Sequence, residues 1–260
     1  MLMAFTRGVS AAITRCELTY LKRATVDWAL ARAQHATYER RLQDVGCRVT
    51  RLAAGASLPD SVFIEDTAVV FDELAVITRP GAACRRAETP AVAAALHRYR
   101  SLAWIEAPGA MDGGDVLVTG HRVLVGLSIR TNRAAAVQLR AILAPFGYSV
   151  EEIEVRGCLH LKSAVTQIGE NLLLMNPAWL PPGPFASFDR IAVDPQEPRA
   201  ANALLAGGRI IFPAVFPRTR EHLEQLGLRV CCVDASELAK AEGALTCCSL
   251  IFEAKGTETA

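Results

Sequence analysis

The chain has 260 residues, 51% of them hydrophobic, and a formal net charge of +1 at pH 7. This composition is typical of a globular protein with a large core; it excludes a disordered chain, and the low charge excludes a broad basic surface for nucleic acid. No apolar run approaches the roughly twenty residues of a membrane helix, and residues 1–10 lack a signal-peptide hydrophobic region, so we expect a cytoplasmic protein without nucleic-acid or membrane partners.

The first supersecondary pattern is the segment "DTAVVFDELAVITRPG" at 66–81, in which two apolar runs flank an acidic turn. This pattern predicts a β-hairpin. The next segment, "ETPAVAAALHRY" at 88–99, predicts a helix, with Thr89 as its cap and Pro90 in its first turn. A short strand pattern, "LAWIEAP" at 102–108, follows. The order is therefore strand, strand, helix, strand.

The same order recurs further along the chain. Residues 115–128 again predict a hairpin, this time with a Gly-His turn. Asn132 is placed to cap the helical stretch 133–147, and the strand pattern 148–155 completes the copy.

Two more copies follow. The third starts with the hairpin pattern 164–176, and the Pro-rich stretch "NPAWLPPGPFASF" at 176–188 interrupts it, which we interpret as a surface excursion. The fourth covers 202–234, with a Gly-Gly turn and a helix that ends at Gly227.

The two ends of the chain supply a fifth unit. We expect the C-terminal strand 244–252 to pair beside the N-terminal strand 3–9, and the helix 26–46 and the strand 47–53 to complete the module. Such units cannot bury their faces alone, so repetition implies stacking around an axis, and closure leaves no free sheet edge. The sequence thus predicts one α/β domain over 1–260, a propeller of five pseudosymmetric strand-strand-helix-strand modules around a central channel.

The eight cysteines do not form a disulfide or metal-binding framework. Neighbours on a strand point to opposite faces, so an adjacent pair is a strained disulfide and a poor chelate, and no His or Cys lies at metal-ligand spacing. We expect reduced thiols, mostly packing residues, with no metal or organic cofactor. Four cysteines are single and the others form two adjacent pairs: Cys16, Cys47, Cys84, Cys158, Cys231-Cys232 and Cys247-Cys248.

Charged residues, a histidine and a cysteine lie at the strand ends that we expect to face the channel. Each type has an ordinary alternative, because acidic residues beside glycine are common in turns, a lone histidine is often structural, and paired arginines usually face solvent. The candidates are Asp60, Glu65, Asp66, Arg85, Arg86, Asp112, Asp115, Arg130, His160 and Cys247.

The combination of these residue types points to a particular chemistry. Carboxylates bind a guanidinium through paired charge-assisted hydrogen bonds, and two arginines suit the carboxylate end of an amino acid. A thiol at the guanidine carbon could attack it, with acid assistance to the leaving amine. We therefore predict an enzyme that holds a small, arginine-like substrate at both ends.

Seven segments in order resemble the dimethylarginine dimethylaminohydrolases of the pentein superfamily. They are "LPDSVFIED", "ITRPGAACRRAE", "DGGDVLVTG", "VGLSIRTN", "LHLKS", "PRTRE" and "LTCCS". The resemblance implies a pentein α/β propeller that hydrolyses N-methylated arginines to citrulline and an alkylamine through a covalent cysteine thiouronium intermediate.

The resemblance also implies the catalytic residues. Cys247 takes the position of the nucleophile, whereas the residues alone leave Cys248 equally possible. His160 takes the position of the general acid and base, and Asp112 that of the carboxylate that orients it and contacts the substrate.

The substrate-binding positions follow from the same resemblance. Asp66 takes the position of the guanidinium anchor, with Glu65 beside it, and Asp60 that of the contact to the α-amino group. Arg85 and Arg130 match the pair that holds the α-carboxylate, and Leu18 the lid over the entrance; all six are implied by the resemblance alone.

One residue bears on the choice of substrate. Arginine deiminases typically carry an aspartate directly after "HL", where this chain has Lys162, so the resemblance favours a methylated substrate. The alternatives are a deiminase-like or other pentein hydrolase, an amidinotransferase acting on arginine or citrulline, and a non-catalytic arginine-binding domain. We expect a monomer or a homodimer.

Overall fold

The computed structural model describes residues 1–181 and 183–254. Within them, fifteen strands form five three-stranded sheets, which confirms the predicted five-module α/β architecture. No helix in this part of the chain is long and apolar enough to cross a membrane. The strands are β1 (Leu2–Arg7), β2 (Arg48–Leu52), β3 (Ala68–Val70), β4 (Leu74–Ile77), β5 (Ser101–Trp104), β6 (Val116–Thr119), β7 (Arg122–Leu127), β8 (Ser149–Glu154), β9 (Val165–Gln167), β10 (Leu172–Met175), β11 (Asp189–Ala192), β12 (Leu204–Ala206), β13 (Arg209–Pro213), β14 (Val230–Val233) and β15 (Leu250–Glu253).

Every sheet has the same internal order. An inner strand pairs antiparallel with a middle strand, and the middle strand pairs parallel with an outer strand. The inner strands β3, β6, β9, β12 and β15 all line one cavity of about 270 Å³, which we call the central cavity. The five sheets therefore surround a common axis, as the repeat predicts.

The helices supply the crossovers that parallel strands require. In four modules a helix joins the middle strand to the outer strand and packs its apolar side on the sheet. In the third sheet, for example, Leu139 and Leu143 of the helix pack against Val123 and Val125 of β7. The helices are α1 (Trp28–Asp44), α2 (Thr89–Leu96), α3 (Arg133–Leu143), α4 (Leu161–Ala164), α5 (Pro217–Gln225) and α6 (Ser236–Ala239).

Most predicted helix ends are confirmed, and one cap is wrong. Asn132 caps α3 by accepting a hydrogen bond from the Ala135 N–H at 3.0 Å, and Gly227, with φ of 80°, follows α5. Pro90 lies in the first turn of α2, but Thr89 does not cap that helix. A 3-10 helix runs directly into α2, so Thr89 is already helical and its hydroxyl donates backwards to a carbonyl.

The Pro-rich stretch that interrupts the third copy lies at the surface in part, as its composition predicts, but it is also anchored in the core. Leu180, Phe185 and Phe188 are buried and belong to one hydrophobic cluster with Leu173 of β10. The described residues between β10 and β11 form no long crossover helix, and these side chains cover the sheet face that such a helix would cover.

The two ends of the chain join as predicted. The terminal strand β15 pairs antiparallel with β1, and β1 pairs parallel with β2, so this sheet repeats the order of the other four. However, the strand starts only at Leu250, and the cysteine pair lies in a 3-10 helix at Thr246–Cys248. The assignment of these cysteines to a strand was wrong: the Cys248 N–H donates to the Leu245 carbonyl at 3.2 Å, which closes a turn.

Candidate active site

The modules gather their polar residues at one end of the ring. A 3-10 helix at Ile64–Thr67 precedes β3, and another at Gly113–Asp115 precedes β6. His160 stands at the start of α4 before β9, and Thr246–Cys248 precedes β15. Because each turn leads into an inner strand, repetition of the module brings all four turns together.

These turns and nearby loops line a second cavity, which we call the polar cavity. Leu18 and Glu65 do not line it: Leu18 packs against the hydrophobic cluster around α1, and Glu65 lines the central cavity. The predicted site residues that do line it are Asp60, Asp66, Arg85, Asp112, Arg130, His160 and Cys247.

His160 lies in a buried carboxylate cluster. Its Nε2 is 3.0 Å from Asp112 Oδ2 and 4.0 Å from Asp66 Oδ1. Burial alone would lower the pKa of His160, but Asp66, Asp115 and Asp112 together raise it to about 9. The imidazole is therefore protonated at neutral pH. Gly114 leaves it room, since a Cβ there would lie 2.8 Å from His160 Nδ1.

The carboxylate of Asp66 is held by two hydrogen-bond donors. Its Oδ1 accepts the Gly114 N–H at 3.0 Å, and its Oδ2 accepts Arg85 Nη1 at 2.5 Å. Burial opposes the charged form, but His160 and Arg85 outweigh it and lower the pKa of Asp66. Asp66 is thus a fixed negative charge directly beside the imidazolium.

The guanidinium of Arg85 is engaged in hydrogen bonds and ion pairs within the protein. Besides Asp66 it binds Glu88, with Nη2 2.8 Å from Oε2, and it donates to the Phe63 carbonyl at 2.9 Å. The side chain is 6% exposed. This network differs from a free α-carboxylate clamp, and it gives Arg85 the geometry of a support for Asp66.

The cysteine pair is divided between cavity and core. Cys247 is half-buried and lines the polar cavity, and burial, then Glu65 and Asp66, raise the pKa of its thiol. Cys248 is buried in the cluster around α1, and its thiol donates to the Ala244 carbonyl at 3.3 Å.

An ion pair between Lys162 and Glu65 lines the central cavity. Lys162 Nζ lies 2.7 Å from Glu65 Oε1, and the Thr246 hydroxyl donates to Glu65 Oε2 at 2.9 Å. Because Thr246 directly precedes Cys247, this carboxylate reaches the turn that carries the thiol.

A loop after β1 covers the polar cavity, and we call residues 17–25 the lid. Asp60 Oδ2 accepts the Glu17 N–H at 3.1 Å, and Arg130 Nη2 donates to the Thr19 hydroxyl at 3.2 Å. The carboxylate of Glu242 accepts three successive lid N–H groups, from residues 19 to 21.

The sequence interpretation left Asp115 between a site residue and an ordinary turn residue, and the structure shows its contact. Asp115 is buried, and its Oδ1 accepts the Leu161 N–H at 2.9 Å, directly after His160. Asn202 was not singled out. It bonds both the N–H and the hydroxyl of Thr246, at 3.1 and 2.9 Å. Superimposing the repeats could have found Asn202, since it stands at the start of the fourth copy.

The cluster around His160 also has the spacing of a metal site. Atoms of Asp66, Asp112 and His160 lie within 4.8 Å of one another. In the metal-free cluster the raised pKa of His160 keeps the imidazole protonated near neutral pH, so a metal ion would have to displace that proton to bind. The arrangement therefore suits a proton donor held between carboxylates.

Comparison with known proteins identifies the family. No family model matches the chain. The N(G),N(G)-dimethylarginine dimethylaminohydrolase of Pseudomonas aeruginosa is 38% identical over 228 residues, which are 87% of this chain and 90% of the relative. The chain belongs to the dimethylarginine dimethylaminohydrolase family. The dimethylarginine dimethylaminohydrolase of Streptomyces coelicolor is 39% identical over 249 residues, 95% of each protein.

A solved structure supports the same assignment. It is a cysteine-to-serine variant of the Pseudomonas aeruginosa dimethylarginine dimethylaminohydrolase in complex with citrulline. It is 35% identical and matches with a TM-score of 0.92, covering 96% of this chain and 98% of the other. The pentein fold and the hydrolase class that the resemblance implied are thereby confirmed.

Proposed function

We propose that the protein hydrolyses asymmetric dimethylarginine and monomethylarginine to citrulline and dimethylamine or methylamine. The observation that carries this proposal is the buried cluster of His160 with Asp66 and Asp112, in the cavity that Cys247 also lines. The cluster supplies negative charge for a guanidinium, a proton for a leaving amine and a thiol for its carbon. The names of the relatives and the citrulline complex of one of them support it.

The substrate is proposed to lie along the polar cavity. Asp66 and Asp112 would hold the guanidinium through charge-assisted hydrogen bonds. Asp60, which has one oxygen free of the lid N–H, would bind the α-ammonium group. Arg130, whose guanidinium contacts only the lid hydroxyl among its described partners, would bind the α-carboxylate. Arg85 would act mainly by fixing Asp66.

The substrate itself would promote the thiolate of Cys247. In the free protein, burial and the charges of Glu65 and Asp66 raise the pKa of this thiol. A cationic guanidinium bound between the carboxylates offsets that negative charge and lowers the thiol pKa. We therefore expect thiolate formation, with its proton released to water, to accompany binding.

The chemistry would proceed in two halves. The thiolate of Cys247 forms a bond to the guanidine carbon, the bond from that carbon to the methylated nitrogen breaks, and His160 gives its proton to the departing amine. A covalent thiouronium remains. Neutral His160 then accepts one proton of a water molecule as the water oxygen bonds to the carbon. The carbon–sulfur bond breaks, and the second proton of the water passes to the departing sulfur, which releases citrulline and restores the thiol of Cys247.

Lys162 is proposed to favour methylated substrates. Its ammonium group is paired with Glu65, so this carboxylate is already engaged and does not offer a free partner to an unsubstituted guanidinium nitrogen. Arginine would lose about 1.5–3 kcal/mol of charge-assisted bonding, or about tenfold or more in specificity. Methyl groups that become buried on binding would gain about 0.8 kcal/mol per carbon.

The proposal is tested by comparing the specificity constants of the purified protein for dimethylarginine and arginine. We expect dimethylamine and citrulline as products and at least tenfold preference for dimethylarginine. A preference for arginine with release of ammonia would replace this proposal by an arginine deiminase, and a requirement for an amine acceptor would replace it by an amidinotransferase.

The setting of the reaction is also a proposal. We propose a single catalytic domain over residues 1–260 that acts in the cytoplasm on a small molecule, without metal or organic cofactor, as a monomer or homodimer. All eight cysteines, none of which forms a disulfide within the described chain, support a reducing compartment. Light scattering of the purified protein determines the oligomeric state.

A further inference from the structure

The end of the polar cavity beneath the lid has an excess of negative charge. We call it the lid end; it is formed by Glu17, Asp60, Arg130 and Glu242. Three of these four side chains are carboxylates, and Arg130 forms no ion pair with any of the described residues. Such an excess is unfavourable for an empty site, and it is offset when a cation binds.

The carboxylates of Glu242 and Asp60 differ in how many of their oxygens accept hydrogen bonds from the lid. Both oxygens of Glu242 accept N–H groups of the lid, so its charge is satisfied by the backbone. Asp60 is buried and gives one oxygen to the Glu17 N–H. Burial raises the pKa of Asp60, and the charge of Glu17 acts in the same direction, while Arg85 and Arg130 oppose both. Asp60 forms no direct ion pair within the described chain, so its second oxygen can accept a hydrogen bond from a bound ammonium group.

Glu17 is the carboxylate without an assigned role. Its Oε1 accepts the thiol of Cys84 at 3.2 Å, and its other oxygen has no hydrogen-bond partner within the described chain. Because the backbone of Glu17 is bonded to Asp60, the two carboxylates share one end of the cavity. Leu18, the lid residue implied by the resemblance, turns instead into the hydrophobic cluster.

We propose that Glu17 is a specificity-determining residue that completes, with Asp60, a two-carboxylate subsite for the α-ammonium group of the substrate. This inference rests on the proposed function. Asp60 is a buried residue of the cavity wall, and Glu17 belongs to the lid. An ammonium group bound between the two carboxylates would therefore connect the lid to the cavity wall. Recognition of the α-amino group thereby holds the lid closed over the reacting guanidine.

The experiment compares Glu17→Gln with wild type on two substrates. The first is asymmetric dimethylarginine, and the second is 5-(N,N-dimethylguanidino)pentanoate, which keeps the carboxylate and lacks the amino group. Glutamine keeps the thiol acceptor and loses only the charge. We expect KM for dimethylarginine to rise about three- to tenfold, with kcat nearly unchanged, and KM for the desamino analogue to stay within twofold of wild type.

Two variants serve as controls. Glu170→Gln removes one negative charge in the exposed β9–β10 turn, and it should leave both KM values unchanged. Cys84→Ala removes the thiol partner of Glu17 and should not reproduce the loss. Equal increases of KM for both substrates in Glu17→Gln, or an unchanged KM for dimethylarginine, would overturn the proposal.

Binding measurements separate this inference from the proposed function. Calorimetric titration with citrulline and with 5-ureidopentanoate, its analogue without the amino group, needs no turnover. If wild type releases no dimethylamine, the proposed function fails, yet Glu17→Gln should still weaken citrulline binding about three- to tenfold and spare the analogue. A variant that binds citrulline as tightly as wild type would refute the role of Glu17.

Discussion

The two ends of the polar cavity are built in different ways. At the guanidine end, Asp66, Asp112 and His160 are buried, and they come from turns that lead directly into inner strands. At the lid end, Glu17 is exposed and Glu242 is half-buried, and hydrogen bonds between loops hold both. The sheets position the guanidine end, and hydrogen bonds between loops position the lid end.

The difference in construction matches a difference in proposed role: the guanidine end carries the catalytic groups, and the lid end contributes to substrate selectivity. Groups that transfer protons must be held within a few tenths of an ångström, so the guanidine end uses buried, mutually bonded charges. The lid must open for substrate to enter, and loops with few buried contacts open at low free-energy cost. We therefore expect substitutions at the guanidine end to affect kcat and stability, and substitutions at the lid end to affect KM.

The largest effect should come from the cysteine pair. Cys247→Ser should lower kcat at least a thousandfold, because a hydroxyl is a far weaker nucleophile than a thiolate at neutral pH. Cys248→Ser is the matched control, and it should retain most turnover while losing about 1–3 kcal/mol of stability from a buried hydroxyl. Steady-state kinetics and urea unfolding test both. Similar kinetic losses in the two variants would mean that the nucleophile is misassigned.

His160 should be the next most sensitive position. His160→Gln should lower kcat about 10²–10⁴-fold, the range typical of a lost general acid and base. Rapidly quenched wild-type enzyme should carry an adduct on Cys247 by mass spectrometry. If His160→Gln changed only KM, its acid and base role would be wrong.

The same histidine makes stability depend on pH. Its folded pKa of about 9 lies above the ordinary value of 6.5, so its stabilisation is full below pH 6.5 and is lost as pH rises through 9. The free energy of unfolding of wild type should exceed that of His160→Gln by at most about 3 kcal/mol at pH 6. This difference should be smaller at pH 10. Urea unfolding across this range tests it, and a constant gap would contradict the raised pKa.

The two arginines should differ although the resemblance pairs them. Arg85→Ala leaves Asp66 and Glu88 buried without their partner and should cost about 3–5 kcal/mol of stability. Arg130→Ala breaks only a bond to the lid and should unfold near the wild-type temperature, with KM for dimethylarginine raised about tenfold. Thermal unfolding distinguishes them. A stable Arg85→Ala protein with a large KM defect would restore the clamp role implied by the resemblance.

The smallest effect should come from removing the hydrogen bonds between Glu242 and the lid. Glu242→Gln keeps one acceptor oxygen in place of a carboxylate, so the amides of Thr19, Tyr20 and Leu21 should exchange with solvent about tenfold faster. KM should rise a fewfold and kcat should change little. The exposed Glu221→Gln is the control. Unchanged amide exchange would show that Glu242 does not hold the lid.

Sequence alone predicted the features that depend on local chemistry. The hairpins, the Asn132 cap, the Gly227 helix end and the joining of the termini follow from periodicity and from the backbone preferences of turn residues. The repeat also predicted that residues before the inner strands would meet. The polar cavity brings together Asp112, His160 and Cys247 from three modules.

Only the tertiary structure decided the contacts between distant segments. An apolar run fits both a strand and a buried turn, so the position of Cys247 before β15 depended on turn hydrogen bonds. Arg85 forms an ion pair with Asp66, and no local sequence pattern predicts that pair. Likewise, no local pattern predicts that Glu242 accepts hydrogen bonds from a lid more than 220 residues away. Coulombic and hydrogen-bond energies depend on distances in space, which the chain acquires only when the five modules close into a ring.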